Sequence, residues 1–134
     1  MNIRYDDTHE FTTDQLRDLF LSVDWSSGNY PDRLQIAMRN YETVFTAWDG
    51  DRLIGLICVM DDGTMNAYIQ YVLVNPEYQG HGIGKELISR VKEHYSDYLR
   101  IVLVAYSDKV PFYESCGMER GEGKTPMFIT SLTT

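Results

Sequence analysis

Between Gln79 and Lys85 the chain reads Gln-Gly-His-Gly-Ile-Gly-Lys, with Gly80, Gly82 and Gly84 at alternate positions. One apolar run ends just upstream at Val74, and another begins at Ile83. Glycine near a helix start costs roughly 0.5–1 kcal/mol relative to alanine, so three of them imply a demand on the backbone. A helix N-terminus presents N–H groups without intrahelical partners and a partial positive charge, and anionic phosphates bind there. Without Cβ atoms in the way, a ligand can come close to the chain. The stretch therefore reads as a phosphate cradle; glycines that only turn the chain are the simpler alternative. Two common cradles fit poorly. A Walker loop needs G-x-x-x-x-G-K-[ST], but Gly80 and Gly84 are one residue too close and Glu86 stands where a metal-binding hydroxyl belongs. A dinucleotide fingerprint needs G-x-G-x-x-G after a parallel βαβ start, and Lys85 occupies the third glycine position.

The surrounding elements set where this loop must lie. Asn2 to Asp6 reads as a short strand. Leu16, Leu19, Phe20 and Val23 recur at helical spacing, with Thr13 as the expected cap. Trp25 to Asp32 is a loop, and Pro31 suits the first turn of a second helix running to about Asn40. Thr43–Trp48, Arg52–Met60 and Met65–Val74 read as three strands joined by the tight turns Asp49-Gly50-Asp51 and Asp61-Asp62-Gly63. After the glycines, Ile83, Leu87, Ile88, Val91 and Tyr95 mark a helix. Arg100–Ala105 is a strand, Val110–Cys116 a short helix stopped by Gly117, and Pro126–Leu132 a last strand. The order βααβββαβαβ predicts an α/β (α+β) layer structure with a mixed sheet.

Composition narrows the function classes. A chain of 134 residues suits one domain, and 43% hydrophobic residues supply a core. No apolar run approaches the ~20 residues of a membrane span, and MNIRYDDTHE lacks a basic start followed by an apolar stretch, so neither membrane partner nor secretion signal is expected. The net charge of −8 disfavours nucleic acid. It permits a cationic substrate, although a solvated acidic surface explains it as well. Two cysteines fit a reduced, cytoplasmic setting. Cys58 reads as core, while Cys116 is a candidate exposed thiol. His9, His81 and His94 show no ligand spacing, and no metal site is expected.

Gln79-Gly80-His81-Gly82-Ile83-Gly84 resembles the Q/R-x-x-G-x-G/A pyrophosphate loop of the GCN5-related N-acetyltransferase (GNAT) superfamily. Leu73-Val74-x-Pro76-x-x-Gln79 is similar to that family's central strand and turn, and Pro111-Phe112-Tyr113 through Gly117-Met118 to its F-Y-x-x-x-G-F segment. The resemblance covers essentially the whole chain. It implies a mixed, mostly antiparallel GNAT-like sheet flanked by helices. It also implies acetyl transfer from acetyl-CoA to a primary amine of a small molecule or peptide. The CoA pyrophosphate would lie on the N–H groups of Gln79 to Gly84, with Lys85 nearby, and the pantetheine arm along Val72, Leu73 and Val74. Tyr113 aligns with the general acid, packed over Phe112; a core tyrosine is the alternative.

The base side is less defined. A free alkylamine with a pKa near ~10.4 is only ~0.04% neutral at pH 7, a deficit of roughly 4–5 kcal/mol, so a base or a desolvating site matters. Where the histone-type branch has a glutamate, this chain has Tyr68. Tyr68, Gln70 and Glu77 are candidates; strand alternation puts Tyr68 and Gln70 on one face. A second departure is Tyr106, seven residues before Tyr113, where the family often has an asparagine on the CoA arm. Trp25 and Tyr30 lie where the family varies its acceptor walls, and either line a pocket, with Gln70, or serve as packing anchors. A homodimer through the Pro126–Leu132 edge is expected. The rival readings are a non-catalytic acyl-CoA sensor and a nucleotide-binding domain.

Overall fold

The computed structural model describes residues 2–134. Its elements are β1 (Arg4–Asp6), α1 (Thr13–Ser22), α2 (Pro31–Asn40), β2 (Thr43–Asp49), β3 (Arg52–Asp61), β4 (Asn66–Val74), α3 (Ile83–His94), β5 (Arg100–Leu103) and α4 (Val110–Ser115), with short 3-10 turns at Ser26–Asn29, Pro76–Tyr78 and Ser107–Lys109. The strands form one sheet in the order β1-β2-β3-β4-β5, antiparallel throughout except for the parallel β4–β5 pair.

Helices cover both faces. On one, Leu87, Ile88, Val91 and Tyr95 of α3 pack onto Ile54, Ile57, Val59, Ala67 and Ile69 of the sheet. On the other, Leu16, Leu19 and Phe20 of α1 and Leu34 and Met38 of α2 cover Val44, Leu56, Cys58 and Leu73. Strand β3 supplies side chains to both cores, which explains its unbroken apolar run from Leu53 to Val59. The cap of α1 is Thr12, one residue before the expected Thr13: the Thr12 side chain accepts from the Gln15 N–H at 3.1 Å and its own N–H donates to Gln15 Oε1 at 2.9 Å. A capping box needs a Gln or Glu three residues on, and only Thr12 has one.

Two irregularities shape β4. The register with β3 slips between the pairs Cys58–Tyr71 and Val59–Ile69, so Gln70 is the extra residue of a bulge. Before the bulge, Ala67 and Ile69 face α3; after it, Leu73 and Tyr71 face the α1–α2 side and Val72 and Val74 turn toward α3. In addition, β5 pairs only with Asn66–Ile69. β5 ends at Leu103, so among the described residues no strand lies along that edge of β4 from Gln70 to Val74.

The expected strand at Pro126–Leu132 is absent. The chain there is irregular, with Met127, Phe128 and Ile129 exposed, and it is tied instead to the α1–α2 loop: Ser26 N–H donates to Thr134 Oγ1 at 2.6 Å, and the N–H groups of Thr133 and Thr134 donate to Ser26 Oγ at 3.2 Å. A strand needs a partner as well as β-forming residues, and β5 offers an edge of four residues only. The dimer edge expected from that strand therefore lacks its strand. Cys116 is 6% exposed, so the expected surface thiol is core.

Candidate active site

The loop between β4 and α3 is held on the β2–β3 hairpin. Buried Asn75 donates its N–H to Ile54 O at 2.8 Å, and its Oδ1 accepts from the Glu77 N–H at 2.9 Å. The buried Tyr78 hydroxyl donates to Asp49 Oδ2. Arg52 pairs with Glu77 at 2.8 Å and lies 5.6 Å over the Tyr78 ring. This anchoring fixes where α3 begins. It also unsuits Glu77 as a base, because the Arg52 guanidinium holds its exposed carboxyl below the ordinary carboxylate range.

The three glycines have two jobs. Gly80 and Gly82 take left-handed backbone, with φ of 85° and 76°, where an L side chain is strained. An added Cβ at either would meet nothing within 4 Å, so both border open space. Gly82 caps α3 without a side chain, and the first N–H groups of the helix point out unpaired by any cap. Gly84 is different: a Cβ there would lie 3.2 Å from Phe112 Cζ and 3.8 Å from Val74 Cγ2, so its missing side chain lets α4 settle against α3. Ile83 is buried, whereas Gln79, His81 and Lys85 are exposed. Gln79 Nε2 donates to Val74 O at 3.3 Å, linking the cradle to the end of the open β4 edge.

Tyr113 packs against the same core as Val72 and Val74. Its ring meets Phe112 edge to face at 5.2 Å. No described residue hydrogen-bonds its hydroxyl. Burial, and then the neighbouring Cys116, push that phenol up to about 12, so it stays protonated throughout the neutral range.

On the opposite face an aromatic chain crosses the sheet. Trp25 lies 6.2 Å from Phe20, 6.0 Å from Tyr71 and 6.3 Å from Tyr106 between ring centres. Trp25 thus joins the α1–α2 loop to the segment after β5, with the Tyr106 ring tilted 38° against it. Beside this chain is a cavity of about 270 Å³ whose walls include Ser27, Tyr30, Arg33, Tyr41, Tyr71 and Leu132. Of the expected acceptor residues, Tyr30 lines it; Trp25 and Gln70 do not. Gln70 is exposed at the bulge, which breaks the alternation behind its expected face shared with Tyr68. Half-buried Tyr68 lies near Tyr41, whose phenol is raised well above the ordinary range, first by burial and then by Cys58, Tyr71 and Tyr68. The Tyr71 hydroxyl shares a 2.7 Å hydrogen bond with Ser27 Oγ.

Tyr71, Tyr41 and Arg33 were not singled out from the sequence. Tyr71 is one residue past Gln70, and only the bulge turns it onto the α2 side. The histidines lie apart: His9 Nδ1 is 2.8 Å from Met38 O, His94 packs edge-on to Phe45 and Tyr95, and His81 is exposed.

The site lies on a five-stranded mixed α/β sheet whose β4 bulges beside a glycine-capped helix start. The acetyltransferase (GNAT) family model matches residues 7–118, and the chain belongs to that family. It is 36% identical over 109 residues to the uncharacterized N-acetyltransferase ycf52-like of Prochlorococcus marinus, covering 77% of this chain and 60% of that one. It is 41% identical over 80 residues to the GCN5-related N-acetyltransferase 2, chloroplastic, of Arabidopsis thaliana, covering 58% and 31%. The chain thus spans about three fifths of the first relative's length and about a third of the second's. A GNAT family acetyltransferase structure from Streptococcus pneumoniae TIGR4 superposes with a TM-score of 0.82 over 97% of this chain and 99% of that one, at 24% identity, a likeness in fold.

Proposed function

We propose that the protein transfers an acetyl group from acetyl-CoA to a primary amine of a small molecule or peptide. The observation that carries this reading is the continuous path from the Gln70–Val74 edge of β4, unpartnered among the described residues, to the N-terminus of α3, which no side chain caps. An extended amide-bearing arm suits a free strand edge, and a pyrophosphate suits N–H groups next to open space at Gly80 and Gly82. Backbone N–H groups of Gln79 to Gly84 would hold the phosphates, with exposed Lys85 adding charge. The backbone of Val72, Leu73 and Val74 would hold the arm. When bound, acetyl-CoA supplies an activated acyl carbonyl and a thiol leaving group.

The chain's own residues then position and protonate. N–H groups near Val74 polarise the acyl oxygen, a contribution that lies in preorganisation. Tyr113 presents a protonated hydroxyl toward the departing sulfur. Tyr68 stands on the side from which an amine would enter. An apolar, half-enclosed cavity disfavours the ammonium form and so raises the neutral fraction of the acceptor.

The test has two arms, both without added metal. Addition of CoA or acetyl-CoA should raise the thermal midpoint. Thiol release from acetyl-CoA should then follow over a panel of amines. Stabilisation by ATP with magnesium but not by CoA would reject the reading in favour of a nucleotide-binding domain. A CoA shift with no thiol release on any amine would make the protein an acyl-CoA sensor.

A further inference from the structure

The cavity beside Trp25 has an unusual charge for this chain. The protein as a whole carries −8, with 20 acidic residues against 12 basic ones, a balance that permits cationic acceptors. Yet no carboxylate lines the cavity, and its one charged side chain is Arg33. Arg4, Arg17, Arg39, Arg52, Arg90 and Arg120 all have carboxylate partners, whereas Arg33, like Arg100, has none among the described residues. It is exposed, and its guanidinium lies 5.7 Å over the Tyr30 ring. It also sits in the first turn of α2, where Tyr30 caps without a side-chain hydrogen bond and the helix end is partly positive. Asp32, in the same turn, is exposed and does not line the cavity. The rest of the wall is aromatic and aliphatic: Tyr30, Tyr41, Tyr71, Leu34 and Leu132.

We infer that the acceptor is an amine carrying an anionic group, a carboxylate or a phosphate, on an apolar body, and that Arg33 binds that group. This rests on the acetyl-transfer reading above. A planar guanidinium with free donors matches either oxyanion in bidentate fashion. The same fixed positive charge repels an ammonium, so it favours the neutral amine that the reaction needs in a chain with no carboxylate from Met65 to Val74. Polyamines and other polycations meet a cation and no counter-charge in this cavity.

The experiment compares matched acceptors with the full chain and saturating acetyl-CoA. L-phenylalanine and L-leucine are set against phenethylamine and isoamylamine, which have the same bodies without the carboxylate. O-phosphoethanolamine against ethanolamine tests phosphate, and spermidine represents polycations. At least one acid is expected to exceed its neutral partner in kcat/KM, and which acid does so separates carboxylate from phosphate. Arg33→Gln should raise the KM for that acceptor about five- to thirtyfold, between the range of an exposed ion pair and that of a charged hydrogen bond. The KM for acetyl-CoA and the thermal shift with CoA should not move, and Arg33→Lys should recover part of the loss. Preference for the neutral amines or spermidine, or an unchanged acceptor KM in Arg33→Gln, overturns the inference. No turnover of any acceptor with the CoA shift intact also overturns it while sparing the cofactor assignment; loss of the CoA shift in the parent removes both.

Discussion

Removing the Tyr113 hydroxyl, as Tyr113→Phe, is expected to lower kcat by about 10- to 100-fold and to leave the KM for acetyl-CoA within about twofold. The magnitude comes from the burial of the phenol. At about 12 it is a weaker acid than a thiol near ~8.5, and handing over its proton outright would run against a gap of roughly 5 kcal/mol. What remains is a hydrogen bond to sulfur as charge builds there. A hydrogen bond to a charged group is worth about 1.5–3 kcal/mol, and each ~1.4 kcal/mol is tenfold in rate. The loss thus sits at or below the lower end of the ~10²–10⁴-fold range of general acids. Because the interaction forms only as the C–S bond breaks, the loss belongs in kcat. The assay is steady-state thiol release between pH 6.5 and 9.5, with single-turnover kinetics to establish that chemistry limits the rate. A raised phenol stays protonated across this window, so Tyr113 should impose no falling limb on kcat. A falling limb between pH 8 and 9.5 in the parent that vanishes in Tyr113→Phe would refute the burial argument. Equal kcat in both proteins, with chemistry limiting, would return Tyr113 to a packing role.

The glycines should separate into binding and packing positions. Gly82→Asp is expected to abolish the CoA thermal shift, while Gly82→Ala should lose about 1 kcal/mol of stability from left-handed backbone and keep a weaker shift; an unchanged shift in Gly82→Asp would mean that the cradle is misplaced. Gly84→Ala should be within about 0.5 kcal/mol of the parent in urea unfolding, because Phe112 is 38% exposed and can give way and alanine favours the helix. Gly84→Val should cost about 1–3 kcal/mol by overpacking, and equal stability of the two variants would contradict the close approach. Stability should also fall at alkaline pH. Cys58 is pushed up to about 12, and Tyr41, Tyr71, Tyr95 and Tyr113 are all raised, each chiefly by burial. The unfolded chain therefore loses these protons first, so stability is whole below about pH 8.5 and declines as pH climbs from the unfolded values toward the folded ones. Urea midpoints at pH 8 and pH 11 test this, and a flat profile would argue against buried protonated phenols.

The local sequence determined most of the elements and the glycine loop. Helix spacing from Leu16 to Phe20 and from Ile83 to Val91, the turn glycines Gly50 and Gly63, and Pro31 at a helix start are written in neighbouring residues, because helix and turn formation depend on contacts within a few positions. The glycine loop was legible for the same reason: left-handed backbone at Gly80 and Gly82 is a demand on those residues alone. What the sequence could not carry is how strands meet. The bulge at Gln70 exists only in the register of β4 against β3, and it decides that Tyr71 faces the α2 side. Where β5 stops pairing with β4 is likewise a property of the pair. The missing last strand shows the converse, since Pro126–Leu132 has strand-forming residues but pairs with no strand of the sheet. The cavity beside Trp25 gathers Arg33 from a helix start, Tyr41 from the turn that follows, Tyr71 from β4 and Leu132 from nearly a hundred residues beyond Arg33. Only tertiary packing brings such distant positions to one wall, because nothing in the spacing of four residues along the chain records that they share a surface.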